Sequence, residues 1–144
     1  MTRCTTNSPV LAADPVRLER DRWQDGRAER RRHDDPTPDE IEAAVRALDQ
    51  ETRTEVVLTG HDGQYLAVEG GAGRYLVQLG SDEHDDRIVV RSVGAEPGDE
   101  VVVAAGQPRR VARRDVVDLD TALRAVRAFA KAGRPDPTLT WALG

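Results

Sequence analysis

In TEVVLTGHDGQYLAVEGGAGRYLVQLGSDEHDDRIVVRSV, residues 54–93, runs rich in Val, Leu and Tyr alternate with clusters of Gly, Asp and His. Short apolar runs bounded by turn residues predict strands. TEVVLT and QYLAVEG form a hairpin around His61, Asp62 and Gly63, the glycine being free to take a positive φ. GGAG (70–73) closes the second strand, and RYLVQLG (74–80) is a third, with Tyr75, Val77 and Leu79 on one face. An acidic loop follows, then RIVVRSV (87–93), a fourth strand with Ile88 and Val90 on one side. Further out, EPGDE (96–100) is a turn, VVVAA (101–105) a fifth strand, GQP (106–108) a turn, and RRVARRD (109–115) a short edge strand. Connections this short favour antiparallel neighbours, because parallel pairs need long crossovers.

A helix flanks the strands on each side. In PTPDEIEAAVRALDQ (36–50), Thr37 is an N-cap, Pro38 suits the first helical position and Glu40 completes a capping box. Ile41, Val45 and Leu48 recur at helical spacing as one apolar stripe. In DLDTALRAVRAFAKAG (118–133), Asp118 caps the start and Leu119, Leu123, Val126 and Ala130 line one face, with Ala122 and Phe129 beside them. Gly133 suits the C′ position and RPDP stops the helix. The expected fold is α+β: an antiparallel sheet of five to six strands with the N-terminal and C-terminal helices packed on one face, in a single domain over residues 36–144.

Residues 1–35 read differently. RLERDRWQDGRAERRRHDD (17–35) mixes charges with almost nothing to bury, which predicts a charged tail, disordered or a solvated helix, over residues 1–35. Arg30, Arg31 and Arg32 are surrounded by Asp25, Glu29, Asp34 and Asp35, so they read as part of that charged tail rather than as a nucleic-acid patch. The chain has 144 residues and a net charge of −5, which argues against nucleic acid as a direct partner. The only aromatic residues are Trp23, Tyr65, Tyr75, Phe129 and Trp141, so Val, Leu and Ala must fill the core. Cys4 is the single cysteine, which excludes an intrachain disulfide. No apolar run is long enough to span a membrane and no signal-peptide pattern opens the chain, so a cytoplasmic protein is expected.

Few residues offer chemistry. A phosphate cradle needs a helix N-terminus after its glycines. A strand follows Gly70–Gly73 instead, with Arg74 and Tyr75 where Lys and Ser/Thr would stand, so these glycines read as a turn. No Ser sits in a G-x-S-x-G elbow, and Cys4 lies in the tail away from any evident base. The acidic loop gathers Asp82, Glu83, His84, Asp85 and Asp86. It lacks the glycine of a calcium loop, and a zinc site built from it would hold one histidine and no thiolate. No metal or cofactor is therefore expected. Two readings of the loop stay open: a solvated turn that blunts strand edges, and a surface that steers a basic protein.

DLDTALRAVRAFAKAGRPDPTLTW (118–141) resembles the end of the first family of immunity proteins from bacterial polymorphic-toxin systems. The likeness rests on a helix ending in a small residue and Gly, then a Pro/Asp loop leading to a tryptophan: Phe129, Gly133, Pro135, Asp136, Pro137 and Trp141. VVVAAGQPRRVARRDVV and QYLAVEGGAGRYLVQ are similar to the family's central strands, and the likeness covers roughly residues 38–141. It implies a non-enzymatic protein, without catalytic residues, that binds and occludes a cognate toxin domain. Toxins paired with this family include nucleases and nucleic-acid deaminases, which bind polyanions and tend to be basic. On that implication Asp82, Glu83, His84, Asp85 and Asp86 are candidate toxin-binding residues. Phe129, Gly133 and Trp141 are structural, since a Pro-stiffened loop would return Trp141 over the sheet and bury ~200 Å² of aromatic surface. Two other classes remain: a general protein-binding or scaffold module, and a small metal-dependent enzyme using the acidic loop.

Overall fold

The computed structural model describes residues 17–60, 63–81 and 84–144, with backbone alone at His84 and Asp85. Strands begin earlier than expected. Arg17–Gln24 (β1) and Arg27–Asp34 (β2) form a regular hairpin closed by Asp25 and Gly26, at φ 53 and 77. Over residues 17–34 this corrects the expectation of disorder or a solvated helix, because the two strands pair with each other along their whole length; residues 1–16 lie outside the described residues. The pattern was hidden because β2 is exposed throughout and β1 buries only Leu18 and Asp21.

Helix α1 spans Pro38–Arg46, with Thr37 as N-cap and a complete capping box through Glu40. The Thr37 backbone N–H holds the exposed Glu40 carboxylate below its usual range. Next, β3 (Glu55–Thr59), β4 (Gln64–Gly71), β5 (Arg74–Ser81) and β6 (His84–Arg91) run as an antiparallel meander. His61 and Asp62 of the first turn lie outside the described residues. After β7 (Asp99–Ala104), β8 (Gln107–Ala112) and a single 3-10 turn, helix α2 covers Leu119–Ala132 and β9 covers Thr140–Leu143. Among the described residues no helix is long and apolar enough to cross a membrane.

The main sheet has seven strands in the order β9-β6-β5-β4-β3-β1-β2. The expected five to six are therefore exceeded, because β1, β2 and β9 join the meander. The strands β7 and β8 leave it: they pair only with each other, as a separate two-stranded sheet. Residues directly opposite on neighbouring strands share a face. Leu18, Leu58, Leu66 and Leu79 form one such row, and Val56, Val68 and Val77 the next. These side chains make one core with Ile41, Ala44 and Val45 of α1 and Ala122, Leu123, Val126 and Phe129 of α2. Each fully buried Val, Leu or Ile there contributes about 1.5–3 kcal/mol of apolar transfer. On the other face, Leu76 of β5 meets Val102 and Ala104 of β7 in a second, smaller cluster.

The glycine-rich turn serves packing. A Cβ at Gly71 would collide with the Leu48–Asp49 backbone, and the Ala72 N–H donates to the Leu48 carbonyl at 3.3 Å. The missing side chain lets the β4–β5 turn seat against the end of α1.

Candidate functional site

The β5–β6 hairpin carries the acidic loop at its tip. Ser81 pairs with His84 across a register shift that begins after Leu79, a local irregularity of the kind that increases twist. Asp82 and Glu83 lie outside the described residues, as do the side chains of His84 and Asp85. Asp86, in β6, is exposed. The two eight-residue strands β5 and β6 are each paired on both sides, β6 between β9 and β5 and β5 between β6 and β4. Among the described residues no group of three or more His, Cys, Asp or Glu converges on a metal-sized site.

A second charged region was missed in the sequence: the sheet face turned away from the helices. Glu55 of β3 and Glu69 of β4 are directly opposite each other. Arg30 reaches over from β2 to Glu55 at 3.0 Å and Glu19 at 3.4 Å. On the far side, Gln78 Nε2 donates to Glu69 Oε1 at 3.1 Å, and Arg109 of β8 lies 3.5 Å from the same oxygen. Glu69 is 2% exposed. Burial pushes its carboxyl up to about 7; Arg109 opposes that shift and Glu55 adds to it. A like-charged pair directly across two strands destabilises a sheet unless something compensates, and here the two arginines bracket it. Strand alternation alone showed that Glu55 and Glu69 could each face outward, but only the register places them side by side.

A third feature ties the N-terminal hairpin to both layers. The buried Asp21 accepts from Thr54 N at 2.8 Å, Glu55 N at 2.9 Å, the Trp23 indole N–H at 2.8 Å and the Thr54 hydroxyl. The Thr54 hydroxyl in turn accepts from Gly106 N at 2.8 Å, at the β7–β8 turn.

The residues expected to be structural are placed as follows. Phe129 is 2% exposed in the core. Gly133 has φ 66 and donates to the Phe129 carbonyl at 2.8 Å, closing α2. Trp141 lies opposite Val90, half-buried against the core, and its indole N–H donates to the Asp136 carbonyl at 2.9 Å. Asp136 also accepts from Thr138 N at 2.8 Å, so the Pro/Asp loop is internally braced.

No curated protein matches the chain. The sequence pattern of the family described as Immunity protein Imm1 matches residues 29–143. The match opens inside β2, earlier than the residue-38 start of the resemblance, and runs through the last strand. It thus takes in both helices, eight strands of the two sheets and the Glu55–Glu69 face, and the chain belongs to the Imm1 immunity protein family, which carries an immunity role and implies a cognate toxin as partner.

Proposed function

We propose that this protein neutralises a bacterial polymorphic toxin in the cytoplasm by non-covalent occlusion. The toxin on this reading is a nuclease or nucleic-acid deaminase with a basic surface around its active site. Family membership over residues 29–143 is the observation that carries the reading. The protein acts as a binder rather than an enzyme and needs no metal or cofactor. The docking surface on this reading is the acidic tip, Asp82, Glu83, His84, Asp85 and Asp86, and the net charge of −5 favours a basic partner. Charge complementarity of this kind acts mainly on association rate and fades with salt.

The reading expects a toxin domain to be encoded beside this gene, and the test uses that domain. Co-expression of the parent protein should rescue cells from that domain, and the two should co-purify. Asp82→Asn, Glu83→Gln, Asp85→Asn and Asp86→Asn combined should slow association about tenfold or more at low ionic strength, with an unchanged melting temperature. Failure of the parent to rescue or to bind sinks the immunity reading. Rescue and association at parental rates by the combined variant would move docking away from the tip while leaving the immunity reading intact.

A further inference from the structure

The outer strand of the sheet presents an unfilled backbone edge. In the β1–β2 hairpin, Gln24 pairs with Arg27 across the two-residue turn, which makes the even-numbered β1 residues the ones bonded to β2. The opposite side of β1 agrees: Trp23 N donates to the Thr52 carbonyl at 2.7 Å, away from β2. The N–H and C=O groups of Ala28, Arg30 and Arg32 therefore point outward. Among the described residues no strand lies beyond β2, whose eight residues are all exposed.

Natural edges are blunted by proline, bulges, shortness or charge. This strand has no proline, its register with β1 is unbroken, and it is eight residues long. Charge is its one guard, and that charge is mostly of one sign: Arg27, Arg30, Arg31 and Arg32 against Glu29 and Asp34. A second copy is a poor occupant, because a two-fold strand pair centred anywhere from Arg30 to Arg32 sets arginine directly against arginine. An acidic strand meets the opposite situation. We propose that the outer edge of β2 is a strand-addition site for an extended, acidic segment of a partner protein. Main-chain bonds to Ala28, Arg30 and Arg32 supply the attachment. Arg31 lies 3.2 Å from Glu29 and Arg32 3.3 Å from Asp34 in exposed pairs, so an incoming carboxylate shares or replaces these partners, and the surplus of arginine on β2 selects the sign of the incoming side chains. This inference stands apart from the acidic tip and from the toxin assignment.

The probe is a synthetic eight-residue peptide alternating Glu with Thr and Val, and its Lys counterpart, each titrated into the full-length protein with backbone amides followed by NMR. The Glu peptide should shift and protect the amides of residues 28, 30 and 32, and the Lys peptide should not. Arg32→Pro removes one outward N–H while leaving the bonds to β1, and should weaken binding about tenfold at an unchanged melting temperature. Arg31→Glu with Arg32→Glu keeps every N–H and should switch the preference to the Lys peptide, which serves as the second test if the proline variant melts early. The proposal is overturned by an absence of protection at those three amides with millimolar Glu peptide. It is equally overturned if the charge-reversed variant keeps the preference for Glu, or if those amides prove protected in a dimer of the protein alone.

Discussion

At Glu69 the fold holds a buried carboxyl directly opposite a second glutamate, Glu55. That buried carboxyl takes up a proton near 7, against an ordinary value of 4.5. Between those values the folded state holds more protons than the unfolded one. The contribution of Glu69 to stability is therefore fullest below about 4.5 and declines as pH rises through 7. Glu69→Gln imitates the protonated form. It should gain on the order of 1–3 kcal/mol at pH 8 and flatten the decline between pH 5 and 8, with the Arg109 contact at 3.5 Å limiting the gain. Urea melts of parent and variant across that range check this; parallel pH profiles would refute it. Trp141 makes a different kind of claim. Its half-buried indole packs on the core and donates to Asp136, so Trp141→Ala should cost about 3 kcal/mol, the lower end of the range for a large aromatic. A variant that melts like the parent would show that the tryptophan does little for the fold.

At the scale of elements, local chemistry was legible and edge strands were not. The capping box at Thr37 and Glu40 and the Asp118 cap need only residues within one turn, so both helix starts could be read directly. The meander was legible because Val56, Leu58, Leu66, Val68, Val77 and Val90 alternate toward a core. The β1–β2 hairpin lacks that alternation: β2 buries nothing, and one of the two buried residues of β1 is an aspartate whose backbone partners, Thr54 and Glu55, lie more than thirty positions away. Asp25-Gly26, with φ 53 and 77, is a dipeptide suited to a two-residue hairpin turn, a local signal that the sequence reading did not use. Docking of this hairpin has a consequence. Removing residues 1–34 uncovers the edge of β3 and leaves the Thr54 and Glu55 backbone N–H groups without the Asp21 carboxylate, so the truncated chain should lose many degrees of melting temperature or aggregate. Asp21→Ala alone should cost about 3 kcal/mol or more, since it leaves several buried donors unpaired. Calorimetry of both variants checks the two expectations, and a truncated chain as stable as the parent would mean the hairpin is an ornament on the sheet.

At the scale of the molecule, the sheet lies between two unlike covers, the helices on one face and the β7–β8 hairpin on part of the other. The helix cover was foreseeable from amphipathic periodicity. The second cover was not, because VVVAA and RRVAR look like two more strands of the same sheet, and only tertiary packing of Val102 and Ala104 on Leu76 takes them out of it. The candidate tip was visible as a charge cluster, whereas the Glu55–Glu69 face needed the register. What joins the layers is a small cluster around Thr54, where Asp21, Trp23 and Gly106 come together from three distant parts of the chain. Gly106 has φ 79, and a Cβ there would overlap the Trp23 indole. Gly106→Ala in the parent therefore suffers both the backbone penalty of a positive φ and a clash with Trp23. In a Trp23→Ala background the clash is gone and only the backbone penalty remains. A double-mutant cycle should then give a coupling of about 1 kcal/mol or more, although the two positions are far apart in sequence. Single-transition melts with that coupling would show that N-terminal hairpin, sheet and β7–β8 cover unfold together. Additivity within about 0.5 kcal/mol, or a separate early transition for one layer, would mean that the cover opens independently of the hairpin that Trp23 belongs to.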